Sequence, residues 1–212
     1  MPWLQPPGPG TLVSVVTPTT GRPEIKGAIE SVVRQTYGNI EHIIVADGPV
    51  AADRCPVQPS AVLGRCWSTP RTGPGGYATN VGWLLAHGEY IYTLPDDDWL
   101  EPNAIKTYIE HIDSYDFAWS MVEFSTPDLG MHCFSRPVSK WISGSQDDIN
   151  GNHATPDQFF HRRLLEFGMY FASGTWEPGK PGHDIDLLDK WREAGASGIF
   201  IPQVLHHHRV DH

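Results

Sequence analysis

The sequence predicts a single α/β domain with a Rossmann-like, mostly parallel central sheet flanked by helices. Three observations carry this expectation. A β-branched run, Thr11–Thr17 (TLVSVVT), is followed by a helical apolar stripe and then by a second run, Glu41–Ala46 (EHIIVA). A strand–helix–strand opening of this kind is right-handed and parallel by default. A further short apolar run, Tyr90–Leu94, lies between Gly88 and Pro95 and leads straight into Asp96, Asp97 and Asp98. Apolar runs so bounded read as buried strands. Finally, 212 residues with 40% hydrophobic and 11% aromatic content suit one globular domain with a full core.

The elements follow in order. After the first strand, PTTGRP breaks the chain, and Pro23 fits a first helical position. Ile25, Ile29, Val32 and Val33 then fall on one helical stripe that ends near Thr36. The second strand stops at Asp47-Gly48, a Pro- and Ala-rich loop follows, and Val62–Trp67 reads as a third strand. Gly73-Pro74-Gly75-Gly76 makes a turn before a helix over Tyr77–His87, with Val81, Leu84 and Leu85 inward. Past the acidic cluster come a helix over Pro102–Ile112, a strand over Phe117–Phe124 and a hairpin partner over Gly130–Arg136. Ser139–Ala154 has the composition of a long loop, the kind that tends to be functional. Helices over Pro156–Phe167 and Asp184–Ala194 and a last strand over Ile199–His206 complete the chain. The expected division is a flexible N-terminal arm over 1–10 and one domain over 11–212. Within it, 11–98 forms a nucleotide-binding half and 99–212 an acceptor and catalytic half.

Charge narrows the partners. Fifteen Lys and Arg against 25 Asp and Glu give −10 at pH 7, which argues against DNA or RNA, since phosphate-backbone binding needs clustered cations. A small anion held through a metal ion remains compatible with it. Cys55, Cys66 and Cys133 are odd in number and lack metal-ligand spacing, so reduced thiols in a cytoplasmic protein are expected. No apolar run reaches the ~20 residues of a transmembrane span. The opening MPWLQPPGPG lacks the basic and apolar regions of a signal peptide. Association into a homo-oligomer is left open.

If the strands are parallel, three points converge at the sheet's carboxyl edge, where open α/β sheets bind ligands. They are Pro18-Thr19-Thr20 after the first strand, Asp47 after the second, and Asp96–Asp98 after the fourth. Adjacent carboxylates repel one another and are hard to keep ionised together without a cation. Trp99 and Leu100 follow immediately, tying the acidic cluster to buried groups, so a metal–phosphate site is expected.

At this point the chain resembles the family 2 glycosyltransferases of GT-A fold. SVVTPTTGRPEIKGAIESVVRQTYGNIEHIIVADGP is similar to their opening segment, and NVGWLLAHGEYIYTLPDDDWL to the helix and strand that lead into their DxD motif. GHDIDLLDKWREAG and IPQVLHHHRVDH resemble, more loosely, their acidic helix and closing strand. The resemblance implies a metal-dependent enzyme that moves a sugar from a nucleoside diphosphate sugar, UDP being the expected nucleotide, to an acceptor hydroxyl with inversion. It implies Mn2+ or Mg2+ on Asp97, completed by His206 or His208, which strand alternation puts on one face. It implies Asp96 near the ribose or the metal's water, Asp47 accepting from the base, Pro18, Thr19 and Thr20 lining the nucleotide, and Arg71 reaching the base or diphosphate. Asp184, at the start of a helix, is the expected general base, with Asp186 a competitor. Asp98 would either stand behind the metal-binding carboxylate or shape the acceptor side, and Trp176 is a candidate for the acceptor side.

Each residue also has an ordinary reading. Asp-Gly makes turns, Asp caps helices, an arginine often lies on the surface, and tryptophan fills cores. The chain departs from the family at Pro95, where the first DxD carboxylate often stands, at Ala46 in place of a second acid before Asp47, and at His183. Two other functions fit the residues. A sugar-1-phosphate nucleotidyltransferase shares the sheet but should open with a glycine-rich basic phosphate loop, which PTTGRP is not. A non-catalytic nucleotide- or carbohydrate-binding module would bind the donor without turnover.

Overall fold

Parallel pairing begins at the N-terminal half. The computed structural model describes residues 6–8, 10–48, 63–70, 76–126, 130–134, 159–170 and 183–209. Within them, β1 (Val13–Thr19), β2 (Ile40–Asp47), β3 (Leu63–Thr69) and β4 (Tyr90–Thr93) lie side by side as β3-β2-β1-β4, all parallel. α1 (Ile25–Val33) joins β1 to β2, and α2 (Gly76–Leu85) leads into β4. Every residue of β2 is buried, as expected for a parallel strand covered on both faces.

The second half extends the same sheet. It contains β5 (Trp99–Leu100), α3 (Ala104–Ile112), β6 (Phe117–Thr126), β7 (Gly130–Phe134), β8 (Phe159–His161), a 3-10 turn over Arg162–Glu166, α4 (His183–Glu193) and β9 (Gly198–Arg209). The full order is β3-β2-β1-β4-β8-β6-β9-β5, with β7 paired to β6. β8 is antiparallel to both β4 and β6, while β9 is parallel to β6. It follows that β6 and β9 point the same way as β4.

Strand alternation splits the core between the two faces. Val13, Val15, Tyr90, Tyr92 and Phe159 pack with Tyr108 and Ile105 of α3 on one side. Val16, Val45, Ile91 and Phe160 pack with Trp83 of α2 and Trp191 of α4 on the other.

The structure corrects several expectations. Pro156–Phe167 does not form one helix: the described part is strand β8 followed by the 3-10 turn. Tertiary packing decides this, because Phe159 stacks on Tyr90 at 5.1 Å while Phe160 meets Trp83 at 5.2 Å on the opposite face. Only a strand sends consecutive side chains into both cores. In α2, Leu84 points outward and is 65% exposed. Ala78, Gly82, Trp83 and Ala86 face the sheet instead, and a Cβ on Gly82 would lie 2.3 Å from Val16 Cγ1. Val33 is exposed at the border of the α1 stripe, and helix α1 begins at Ile25 rather than at Pro23. Cys66 is disulfide-bonded rather than a free thiol, with its partner outside the described side chains. Among the described residues no helix is long and apolar enough to cross a membrane.

Candidate active site

Because β1, β2 and β4 are parallel, their carboxyl ends share an edge, and β9 delivers its own end there too. Pro18 and Thr19 close β1, with Thr20 just beyond it. Asp47 closes β2 and is buried. Gly48 follows it with φ +97°, a conformation that favours glycine, and its N–H donates to Thr69 O at 2.9 Å. Asp47 is thus held by a tight turn and sits at the edge at the same time. Leu94 N donates to Val16 O at 2.9 Å, carrying the β4 ladder to within two residues of Asp96.

The three acids are each given different partners. Asp96 accepts from Thr19 Oγ1 at 2.7 Å and from Thr20 N at 3.2 Å. Burial nevertheless pushes its carboxyl above the usual range, outweighing Thr19 and the Arg22 guanidinium. Asp97 accepts from Arg22 Nη1 at 2.6 Å, and Arg22 Nε lies 3.5 Å from Asp96. Asp98 is the deepest. It accepts from His206 Nε2 at 2.7 Å, from His208 Nδ1 at 3.0 Å and from Arg209 N at 3.1 Å. Burial alone would raise its pKa; His206 and then His208 outweigh that and hold it well below the ordinary carboxylate value. Repulsion within the acidic run is therefore relieved partly by the protein's own groups.

β9 runs through all three histidines, and alternation assigns them. His206 and His208 face Asp98, and His207 turns to the other side, where Nε2 lies 2.7 Å from Glu101 Oε1 and the ring stacks on Trp99 at 5.2 Å. β5 is the short strand that makes this possible, pairing Trp99 with His207 and Leu100 with His206. The ligand atoms of Asp98, His206 and His208 all lie within 4.8 Å of one another. Two imidazoles and a carboxylate so placed fit a divalent transition-metal ion such as Mn2+.

Of the residues singled out from the sequence, Pro18, Thr19, Thr20, Asp47, Asp96, Asp97, Asp98, His206 and His208 share this edge. Asp184 lies in the first turn of α4, with its side chain outside those described. Asp186 lies two residues further on and pairs with Lys190 at 2.5 Å. Arg71 and Trp176 lie outside the described residues. Two neighbours escaped the sequence reading. Arg22 is separated from Asp97 by 75 positions, and its only signal is a cation just after the break that ends β1. Tyr92, whose hydroxyl lies 2.7 Å from His206 Nδ1, looks in sequence like any core aromatic.

A sheet of this order, with threonines and acids gathered at its carboxyl edge, has the GT-A architecture. The family model described as glycosyl transferase family 2 matches residues 14–167, and the chain belongs to that family. It is 33% identical over 112 residues to the Streptococcus pneumoniae glycosyltransferase GlyG, a match covering 50% of this chain and 36% of GlyG. This chain thus spans little more than a third of that relative. Among solved structures it is similar to S. aureus TarS 1–349 in complex with UDP-GlcNAc, with TM-score 0.68 and 15% identity, covering 95% of this chain and 59% of TarS 1–349. The UDP complex of the same protein matches with TM-score 0.66 and 15% identity, over 94% of this chain and 61% of that one.

Proposed function

We propose that this glycosyltransferase is metal-dependent and moves a sugar from a UDP-sugar to an acceptor hydroxyl with inversion. The observation that carries the reading is the Asp98–His206–His208 donor set on the same carboxyl edge of the sheet as Thr19 and Asp47. The TarS complex with UDP-GlcNAc supports the choice of donor class. Asp98, His206 and His208 would hold the cation, with Asp97 the adjacent carboxylate of the same turn. When bound, the cation neutralises charge gathering on the departing diphosphate.

The chain's own groups do the rest. Asp47 accepts from the base, Pro18, Thr19 and Thr20 line it, and Asp96 meets the ribose. Arg22 and Arg71 are the cations available to the diphosphate. Asp184 takes the proton from the acceptor hydroxyl, and Trp176 offers an apolar face to the acceptor. Incubation with UDP-sugars and Mn2+ tests this reading. UDP release that EDTA abolishes is expected; UDP binding without release, or release indifferent to EDTA, contradicts it.

A further inference from the structure

Behind His206 a buried line of hydroxyls runs into the core. Tyr92 on β4 and Tyr108 on α3 are fully buried, with ring centroids 5.5 Å apart. The Tyr108 hydroxyl is hydrogen-bonded to those of Tyr92 and Ser120, and Ser120 on β6 is fully buried as well. Tyr92 in turn meets His206 Nδ1 at 2.7 Å, and His206 Nε2 meets Asp98 at 2.7 Å. Ser120, Tyr108, Tyr92, His206 and Asp98 thus form one continuous chain from the middle of the sheet to the acidic turn.

Burying polar groups is unfavourable unless they are paired, and phenylalanine would fill either ring position without that demand. The hydroxyls need another reason. A cation held on Nε2 would leave the ring hydrogen on Nδ1, and the Tyr92 hydroxyl, 2.7 Å away, is placed to accept it while its own hydrogen turns to Tyr108.

We propose that Tyr92, backed by Tyr108 and Ser120, is a positioning residue for His206: its hydroxyl holds Nδ1 so that Nε2 stays aimed at Asp98 and the cation. The proposal rests on the reading of Asp98, His206 and His208 as the cation site.

The test is an Mn2+ titration of the wild-type protein, Tyr92→Phe and Tyr108→Phe. Free Mn2+ is followed by its EPR signal, and thermal unfolding is recorded without metal. Loss of a partner to a ligating histidine weakens metal binding about 10–100-fold, and that loss is expected for Tyr92→Phe, with a smaller loss for Tyr108→Phe. A merely structural role would lower the unfolding temperature and leave Mn2+ affinity alone, which overturns the proposal. Affinity of Tyr92→Phe within about twofold of wild type also overturns it while leaving the cation site standing. Failure of the wild type to bind Mn2+ removes the site and the proposal together. Should Tyr92→Phe not fold, Tyr108→Phe decides: unchanged affinity there overturns the proposal.

Discussion

Replacing Asp98 by asparagine keeps the shape of the side chain and removes its charge. The carboxylate receives hydrogens from His206 Nε2 at 2.7 Å, His208 Nδ1 at 3.0 Å and Arg209 N at 3.1 Å. An amide offers one oxygen and one NH2 group, so its nitrogen must face at least one of these donors. Removing one partner of a buried charged pair costs about 3–5 kcal/mol. The asparagine still offers an oxygen to part of this set, and a hydrogen bond to a charged group contributes about 1.5–3 kcal/mol, so a loss of about 2 kcal/mol is expected. The sign with pH follows from the depressed pKa of Asp98. Its contribution is present at neutral pH and is lost only as pH falls through the folded-state value. Urea unfolding at neutral pH, with and without Mn2+, is the assay. In the wild type, Mn2+ at 100 times its dissociation constant adds about 2.7 kcal/mol. That increment should vanish in Asp98→Asn and largely persist in Asp97→Asn, whose carboxylate is engaged by Arg22. The reverse pattern, with the increment kept in Asp98→Asn and lost in Asp97→Asn, would refute the placement of the cation.

Other consequences reach beyond the cation. Asp184→Asn should retain UDP-sugar binding and lose transfer to acceptor, measured as product formation against donor affinity; sustained transfer would move the base to Asp186 or elsewhere. Burial depresses the pKa of His42 to about 3, with Thr17 Oγ1 2.9 Å from its Nε2. Between that value and the unfolded one, only the unfolded chain takes up the proton, so stability falls as pH drops below about 6.5, by up to about 1.4 kcal/mol per pH unit from this residue. His42→Gln should flatten that slope in urea titrations at pH 7 and pH 5, and an unchanged slope would count against the assignment. Gly82→Ala places a methyl 2.3 Å from Val16 Cγ1 and 3.2 Å from Val45 Cγ2. Overpacking of about 1–3 kcal/mol, offset in part by better helix propensity, should lower the urea midpoint without changing the slope.

The parallel half of the sheet was legible because β-branched runs, a helical stripe and Gly or Pro boundaries agree with one another there. The convergence of Thr19, Asp47 and Asp96–Asp98 followed from parallel pairing alone. What could not be read was set by distance and by length. Phe159 and Phe160 carry no period, and only two cores waiting on either side make them a strand. β5 is two residues long, too short for any pattern, yet it fixes the acidic turn against the histidines. Three adjacent aspartates are chemically identical in sequence. Their different partners, Thr19, Arg22 and His206, are 77, 75 and 108 positions away, and only the closed sheet assigns them.

A crystal of the protein with Mn2+ and UDP, measured at the manganese absorption edge, tests the central claim most directly. An anomalous peak among Asp98, His206 and His208, with a diphosphate oxygen on the metal, is the expected result. Manganese lodged elsewhere, or UDP bound at this edge with no metal beside these residues, contradicts it.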